Sequence, residues 1–132
     1  MWISVFDEKY FVKHAIYNSS SYDDELNKRI KDSKKLFQED RLKQLVASSK
    51  IPEKVEVTTH RFIRNANVIV EVLNRANGIC ENCKSEAPFL RSKDKTPYLE
   101  VHHIKKLADG GEDTVENALA VCPNCHRQLH FG

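Results

Sequence analysis

The stretch "CPNCHRQLH", Cys122 to His130, contains four side chains of the types that bind metal ions most often in proteins. Two cysteines separated by two residues form a turn that presents two thiolates to one ion. The two histidines that follow, His126 and His130, are four residues apart, so they lie on one face if the segment is helical. The stretch therefore predicts a metal-binding turn that leads directly into a helix.

A second cysteine pair with the same spacing lies upstream, in "CENC". Two such pairs supply the four thiolates of a tetrahedral zinc site, which would use Cys80, Cys83, Cys122 and Cys125. A disulfide or a redox-active C-x-x-C motif would explain one pair and leave the other without a role. Because the protein would supply all four ligands, we expect this zinc to hold the fold and to have no open coordination position.

The composition sets wider limits on the class of protein. The 132 residues, with 40% hydrophobic and 30% charged side chains, suit one domain or a small domain with an extension. The start of the chain lacks the pattern of a secretory signal, and no apolar run is long enough to span a membrane. We therefore expect a cytoplasmic protein with reduced cysteines and no membrane partner. The net charge of +2 is small, so binding to nucleic acid would need a local site.

Two short segments upstream of Cys122 have the pattern of β-strands. They are "LEVHHI", Leu99 to Ile104, and "NALAV", Asn117 to Val121, and a polar loop with a Gly-Gly turn joins them. The predicted order is strand, loop, strand, cysteine turn and helix. Adjacent residues on a strand point to opposite faces, so the neighbours His102 and His103 should have different roles.

This order should bring His102 close to the helix face that carries His126 and His130. Three imidazoles around one ion leave coordination positions free, and such an open site is typical of catalysis.

The N-terminal half predicts structural elements without a chemical motif. Residues 1–17 predict one or two short strands, and "NSSSYDD", Asn18 to Asp24, predicts a turn and a helix cap. An apolar stripe predicts one helix over about 24–48. Residues 55–64 alternate like a strand, and the next segment predicts a helix over 65–78, capped by its first residue, an asparagine, and closed by its last, a glycine.

The segment from about Arg75 to Phe131 resembles the HNH endonuclease family, through "RANGICENC" and "PYLEVHHIKKLADGGEDTVENALAVCPNCHRQLH". It is most similar to the C-terminal nuclease domain of modification-dependent (5-methylcytosine-specific) restriction endonucleases. The resemblance covers less than half of the chain. It implies an α+β fold, in which a ββα-metal nuclease unit with a four-cysteine zinc site occupies residues 63–132. Residues 1–62 would be a mixed helical and strand extension.

The resemblance also implies a role for each residue of the site. His102 and His126 would be ligands of a catalytic metal ion, and His130 would be the third ligand found in histidine-rich members. His103 would be the general base that deprotonates the attacking water. Asn117 would bond the backbone around that base and hold its loop in shape.

Several further residues flank this site in the sequence. Glu100 precedes His102 by two residues on the same strand face, where it would either orient an imidazole or be an exposed strand residue. The basic residues that are candidates for phosphate contacts are Lys105, Lys106 and Arg127, together with Arg91, Lys93 and Lys95. An imidazole ligand set favours Mn²⁺, Ni²⁺, Co²⁺ or Zn²⁺ over Mg²⁺, which prefers oxygen, so the choice among these five ions stays open.

We therefore expect a divalent-metal-dependent DNA endonuclease that acts in restriction or defence against foreign DNA. The alternative is a zinc-stabilised DNA-binding module without catalytic activity, which would need neither a base nor its positioning residue. One such site cuts one strand, so double-strand cleavage would require a homodimer or two events. Three roles stay open for residues 1–62: a specificity element, a dimerisation element, or the tail of a longer protein.

Overall fold

The computed structural model describes residues 12–132, and it describes side chains from residue 20 onward. The part of the strand prediction that falls on residues 1–11 lies outside the described residues. The chain divides into two compact units, Met1–Arg61 and Phe62–Gly132. Within the described part of the chain, no helix is both long and apolar enough to cross a membrane.

The first unit contains two strands and two helices. The elements are β1 (Val12–Asn18), α1 (Ser19–Lys35), α2 (Gln38–Ala47) and β2 (Lys54–Thr58). The strands β1 and β2 pair in parallel, as expected when helices connect two strands of one sheet.

The prediction of a single helix over about 24–48 is wrong. The first helix begins at Ser19, directly after β1, so the predicted turn at Asn18 to Asp24 is wrong as well. The helical path stops before Phe37, whose backbone is extended with φ −66° and ψ 148°. The guanidinium of Arg41 donates hydrogen bonds to the carbonyls of Ser33 and Leu36, at 2.8 and 3.2 Å, and so satisfies carbonyl groups at the end of α1.

The second unit contains the predicted hairpin and its helix. Its elements are α3 (Ala66–Ala76), β3 (Glu100–His103), β4 (Ala118–Val121) and α4 (Pro123–Phe131), with a short 3-10 turn at Leu107–Asp109. The strands β3 and β4 are antiparallel, with His102 opposite Leu119. Alanine and larger aliphatic side chains form the core around Cys80, namely Val68, Val72, Ala76, Leu99, Ala118, Ala120 and Val121. The α+β fold with the order strand, loop, strand, cysteine turn and helix is confirmed.

Residues next to α3 in the sequence cap the two ends of this helix. The side chain of Asn65 accepts a hydrogen bond from the backbone N–H of Asn67 at 3.0 Å, so the predicted N-cap is present. At the other end Asn77, rather than Gly78, is the C-cap, and it adopts a left-handed conformation with φ 50°. Gly78 follows with φ 80°, and a Cβ there would lie 3.2 Å from Pro97. Glycine at this position therefore allows both the turn and the close approach.

Candidate active site and metal centres

The four cysteines come together as one cluster, and their sulfur atoms all lie within 4.8 Å of one another. Cys80 lies just after α3, and Cys122 is the N-cap of α4. In each pair the backbone N–H of the second cysteine points at the sulfur of the first, at 3.5 Å for Cys83 to Cys80 and 3.4 Å for Cys125 to Cys122. These N–H groups favour thiolate at the two accepting sulfurs.

The donor set of this cluster fits a zinc ion. All four cysteines are free thiols. Burial raises the pKa of the Cys80 thiol, but backbone N–H groups around it outweigh this effect and lower the pKa to about 6. For Cys125, a hydrogen bond from Asn82 lowers the pKa, whereas burial and the neighbouring sulfurs raise it to about 12. The sulfurs therefore compete for negative charge, and a divalent cation among them would allow all four to ionise.

An ion pair that the sequence reasoning missed joins the first cysteine turn to the rest of the unit. The guanidinium of Arg75 on α3 donates two hydrogen bonds to the carboxylate of Glu81, each 2.8 Å long. It also donates to the carbonyls of Val115 and Ala118, while Glu81 accepts from the backbone N–H of Ala120 at 2.9 Å. This pair ties α3 and the turn "CENC" to β4. Both residues lie within the motif "RANGICENC", but their separation of six residues gave no signal of the contact.

The three predicted metal-ligating histidines form a second cluster. His102 on β3 and the pair His126 and His130 on α4 place ligating nitrogens within 4.8 Å of one another. The Nε2 atoms of His126 and His130 are 3.0 Å apart, close to the separation of two neighbouring ligands with metal–nitrogen distances of about 2.1 Å. The buried Nδ1 atom of His102 has no hydrogen-bond partner within the described residues. An unpaired buried nitrogen of this kind is costly unless a ligand binds there, so the cluster fits a divalent ion.

Glu100 orients one of these imidazoles. Its carboxylate accepts a hydrogen bond from Nδ1 of His126 at 2.8 Å and another from the hydroxyl of Tyr98 at 2.7 Å. These two bonds hold the pKa of the Glu100 carboxyl below its usual range. A proton on Nδ1 of His126 leaves the lone pair on Nε2, the atom that faces His130. Of the two alternatives for Glu100, the structure places it beside an imidazole, and that imidazole is His126 rather than His102.

The local environment favours the neutral form of two imidazoles in this cluster, those of His102 and His130. Burial lowers the pKa of His102, and the neighbouring His130 and His126 lower it further. Burial, His126 and nearby cations also lower the pKa of His130. A neutral imidazole is the form that binds a metal ion, so proton competition is weak near neutral pH.

His103 has surroundings different from those of its neighbour His102, although both are buried. Its Nε2 atom lies 2.9 Å from a carboxylate oxygen of Asp113. The second oxygen of Asp113 accepts a hydrogen bond from the backbone N–H of Asn65 at 2.7 Å, and it lies 3.5 Å from Nε of Arg64. The sequence reasoning missed both Asp113 and Arg64. The sequence gives little indication of their contact with His103, because Asp113 lies in a polar loop and Arg64 lies 49 positions before Asp113.

Asn117 holds the loop that follows His103. Its side-chain oxygen accepts from the backbone N–H of Lys105 at 2.9 Å. Its side-chain N–H groups donate to the carbonyls of Lys105 and Glu112, at 3.0 and 2.7 Å. The backbone carbonyl of Asn117 also accepts from the N–H of Ile104 at 2.9 Å. One side chain thus fixes both ends of the loop that connects the two strands.

The structure brings one of the predicted cationic residues to this site. Lys106 lines a pocket of about 330 Å³. The other polar residues that line it are Arg64, His103, His126 and His130. Lys105 and Arg127 are exposed and do not line the described pocket, and the Arg127 guanidinium lies over the ring of Phe131 at 5.8 Å.

The three basic residues of the preceding loop are placed differently. Arg91 donates to the carbonyl of Leu99 at 2.9 Å and lies 4.5 Å above the ring of Tyr98, so it has structural partners. Lys93 and Lys95 are exposed to solvent.

Residues 80–132 match the model of the HNH endonuclease family. The chain is also 47% identical, over 83 residues, to the Type IV methyl-directed restriction enzyme EcoKMcrA of Escherichia coli (strain K12). That match covers 63% of this chain and 30% of the relative, so the chain spans less than a third of the length of this curated protein. Among solved structures, the Type IV phosphorothioation-dependent restriction endonuclease ScoMcrA matches with 28% identity and a TM-score of 0.48, over 67% of this chain and 19% of that one. The resemblance to the HNH endonucleases is confirmed.

Proposed function

We propose that this protein is a divalent-metal-dependent DNA endonuclease that hydrolyses phosphodiester bonds, and that it acts in restriction or defence against foreign DNA. The observation that supports this most directly is the pocket of about 330 Å³, which has His103, His126 and His130 in its wall. Arg64 and Lys106 add positive charge to the same pocket. A phosphodiester is an anion, and cations beside a base and a metal-ligating cluster suit its binding and attack by water.

In this proposal the two metal centres have separate functions. Zinc in the four-cysteine cluster holds the turn, the strand β4 and the helix α4 together. His102, His126 and His130 hold one divalent ion, which would neutralise charge on the phosphate and on the leaving oxygen. Mn²⁺, Ni²⁺, Co²⁺ and Zn²⁺ suit this imidazole set better than Mg²⁺.

His103 is the general base in this proposal. The attacking water gives a proton to the imidazole as its oxygen bonds to phosphorus, the bond from phosphorus to the leaving oxygen breaks, and that oxygen takes a proton from solvent water. Asn117 keeps the loop after His103 in place through its bonds to Lys105 and Glu112. Arg64 and Lys106 bind the phosphate that is attacked, and Lys105 and Arg127 bind neighbouring phosphates from the surface.

The proposal of restriction draws on the relative EcoKMcrA, a Type IV methyl-directed restriction enzyme. We propose that DNA with modified cytosine is cleaved faster than unmodified DNA. The protein would act in the cytoplasm. One nuclease site cuts one strand, so a homodimer would produce double-strand breaks and a monomer would produce nicks.

The test is a nicking assay on supercoiled plasmid. The zinc-loaded full chain would be incubated with unmodified or 5-methylcytosine-containing plasmid in Mn²⁺, Ni²⁺, Co²⁺ or Mg²⁺. The variant His103→Ala removes the base, and His60→Ala, an exposed histidine of the first unit, is the matched control. Zinc content would be measured for all three proteins.

Metal-dependent nicking that is lost in His103→Ala and kept in His60→Ala, with zinc retained in both, would support the nuclease. Absence of cleavage by folded, zinc-loaded protein in every metal would contradict it. DNA binding without cleavage would favour the alternative of a zinc-stabilised DNA-binding module.

A further inference from the structure

Asp113 contacts two separate parts of the second unit with its two carboxylate oxygens. One oxygen lies 2.9 Å from Nε2 of His103, and the other accepts the backbone N–H of Asn65 at 2.7 Å. The side chain of Asp113 is 19% exposed and that of His103 is 9% exposed, so the contact between them is largely shielded from water. Asn65 is the N-cap of α3, whose inner face packs in the core.

This geometry determines which nitrogen of His103 carries the proton. Two hydrogen bonds, first the one from Asn65 and then the one from His103, hold the pKa of the Asp113 carboxyl below its usual range. The ionised carboxylate can only accept hydrogen bonds, so Nε2 of His103 must be the protonated nitrogen. The lone pair of the neutral ring is then on Nδ1.

Asp113 is itself held from both sides. Asn117 donates to the carbonyl of Glu112, the residue before Asp113, at 2.7 Å. The carboxylate is fixed by the N–H of Asn65, and Arg64 lies beside it at 3.5 Å. The carboxylate cannot turn away from His103 without losing the bond to α3, because the same group makes both contacts.

We propose that Asp113 is the positioning residue for His103, which it holds in one ring orientation and in the tautomer with a free Nδ1. This inference rests on the proposed nuclease function, in which Nδ1 accepts the proton of the attacking water. The same carboxylate lies 3.5 Å from Nε of Arg64, which lines the pocket together with His103. In a purely structural role, Asp113 would attach the loop to α3 and have no effect on the imidazole.

The variant Asp113→Asn separates these two roles. An amide has one oxygen, and if that oxygen accepts from Asn65, the amide N–H group faces His103 as a donor. The ring must then accept at Nε2 and carry its proton on Nδ1, which removes the free lone pair needed for catalysis. Asp109→Asn, at an exposed aspartate of the same loop, is the matched control.

Two measurements on zinc-loaded protein test the proposal. Proton–nitrogen NMR of the imidazoles, without a second metal, reports the tautomer of His103. Plasmid nicking measures the rate of DNA cleavage. We expect Asp113→Asn to retain zinc and to reverse the tautomer. We also expect kcat to fall at least about 100-fold with little change in KM, since general-base catalysis contributes about 10²–10⁴-fold.

The wild-type tautomer and the wild-type rate in Asp113→Asn would overturn the proposal. If the variant does not fold, the NMR spectrum of the wild-type protein still tests the proposal. A neutral His103 with its proton on Nδ1 is incompatible with the inferred contact between Nε2 and Asp113, and this result would overturn the proposal. A wild-type protein that shows the expected tautomer but cleaves no DNA would leave the positioning intact and contradict the nuclease function instead.

Discussion

His126 donates a hydrogen bond from Nδ1 to the carboxylate of Glu100, with 2.8 Å between the nitrogen and the oxygen. The bond joins the helix α4 to the strand β3, so the strand that carries His102 also orients an imidazole on the helix. Tyr98 donates to the other oxygen of the carboxylate at 2.7 Å. A carboxylate that is fixed in this way determines the tautomer of His126 and would make Nε2 a stronger ligand in the proposed metal site.

The substitution Glu100→Gln should weaken metal binding at the histidine cluster without unfolding the protein. Loss of a charged partner of a metal-ligating histidine costs about 10–100-fold in affinity, and we expect a loss in this range. Calorimetric titration of the zinc-loaded protein with Mn²⁺ measures it. Glu86→Gln, at an exposed glutamate of the same unit, is the control. Equal affinities for the two variants would show that Glu100 does not act on the ligand.

Metal affinity at the histidine cluster should change little from pH 8 to 7 and should fall only at more acidic pH. The pKa values of His102 and His130 are lowered from their ordinary value, in both cases first by burial. A lowered pKa means that protons compete with the metal only at more acidic pH, so the neutral form persists through pH 7. Titration with Mn²⁺ at four pH values tests this. An affinity that already falls between pH 8 and 7 would indicate raised pKa values and contradict the prediction.

The sequence predicted which residues form the two clusters, because the spacing within each pair is local. The cysteines of each pair are separated by two residues, and His130 lies four positions after His126. Each pair therefore lies within one turn of the chain. The hairpin that adds His102 followed from two strand-like segments. The sequence could not assign a partner to Glu100, because His126 lies 26 positions away and only the packing of α4 on β3 brings them together.

Other features depend on tertiary contacts that leave no local pattern. Asp113 reaches His103 and Asn65, which lie 10 and 48 positions away, so its role could not be inferred from the loop in which it lies. The break between α1 and α2 occurs without proline or glycine. Arg41 there donates to the carbonyl of Ser33 eight positions earlier, a contact that no local pattern in the sequence indicates.

The substitution Asn117→Asp should separate the two kinds of hydrogen bond that Asn117 makes with the loop. The aspartate keeps an acceptor for the N–H of Lys105 but loses the donors to the carbonyls of Lys105 and Glu112. Each lost bond contributes about 0.5–1.5 kcal/mol, so the free energy of unfolding should fall by about 1–3 kcal/mol.

We expect the Asn117→Asp protein to fold, to keep its zinc and to nick DNA more slowly, because the loop around His103 is less firmly held. Urea unfolding and the plasmid assay measure the two effects. Asn74→Asp, on α3, is a control of identical chemistry outside the loop. An unchanged nicking rate together with reduced stability would mean that the loop does not influence the base.

The substitution Cys80→Ser should abolish zinc binding and unfold the second unit. Cys80 is fully buried in the core, and its sulfur is one of the four in the cluster. Structural zinc contributes about 10 kcal/mol or more, which is comparable to the entire stability of an ordinary domain, about 5–15 kcal/mol. Circular dichroism and zinc content measure the loss. His130→Gln should keep one zinc per chain, and a folded Cys80→Ser protein would show that the zinc is dispensable.

The substitution Lys106→Gln should weaken DNA binding more than Lys93→Gln. Lys106 lines the pocket that contains His103, whereas Lys93 is exposed on the loop before β3. Each phosphate contact releases about 0.9 counterion from duplex DNA, so Lys106→Gln should reduce the slope of log affinity against log salt concentration by about one. Fluorescence anisotropy with a labelled duplex measures this, and His103→Ala in every protein prevents cleavage. If both lysine variants lose the same affinity and keep the wild-type slope, the pocket is not where the phosphate binds.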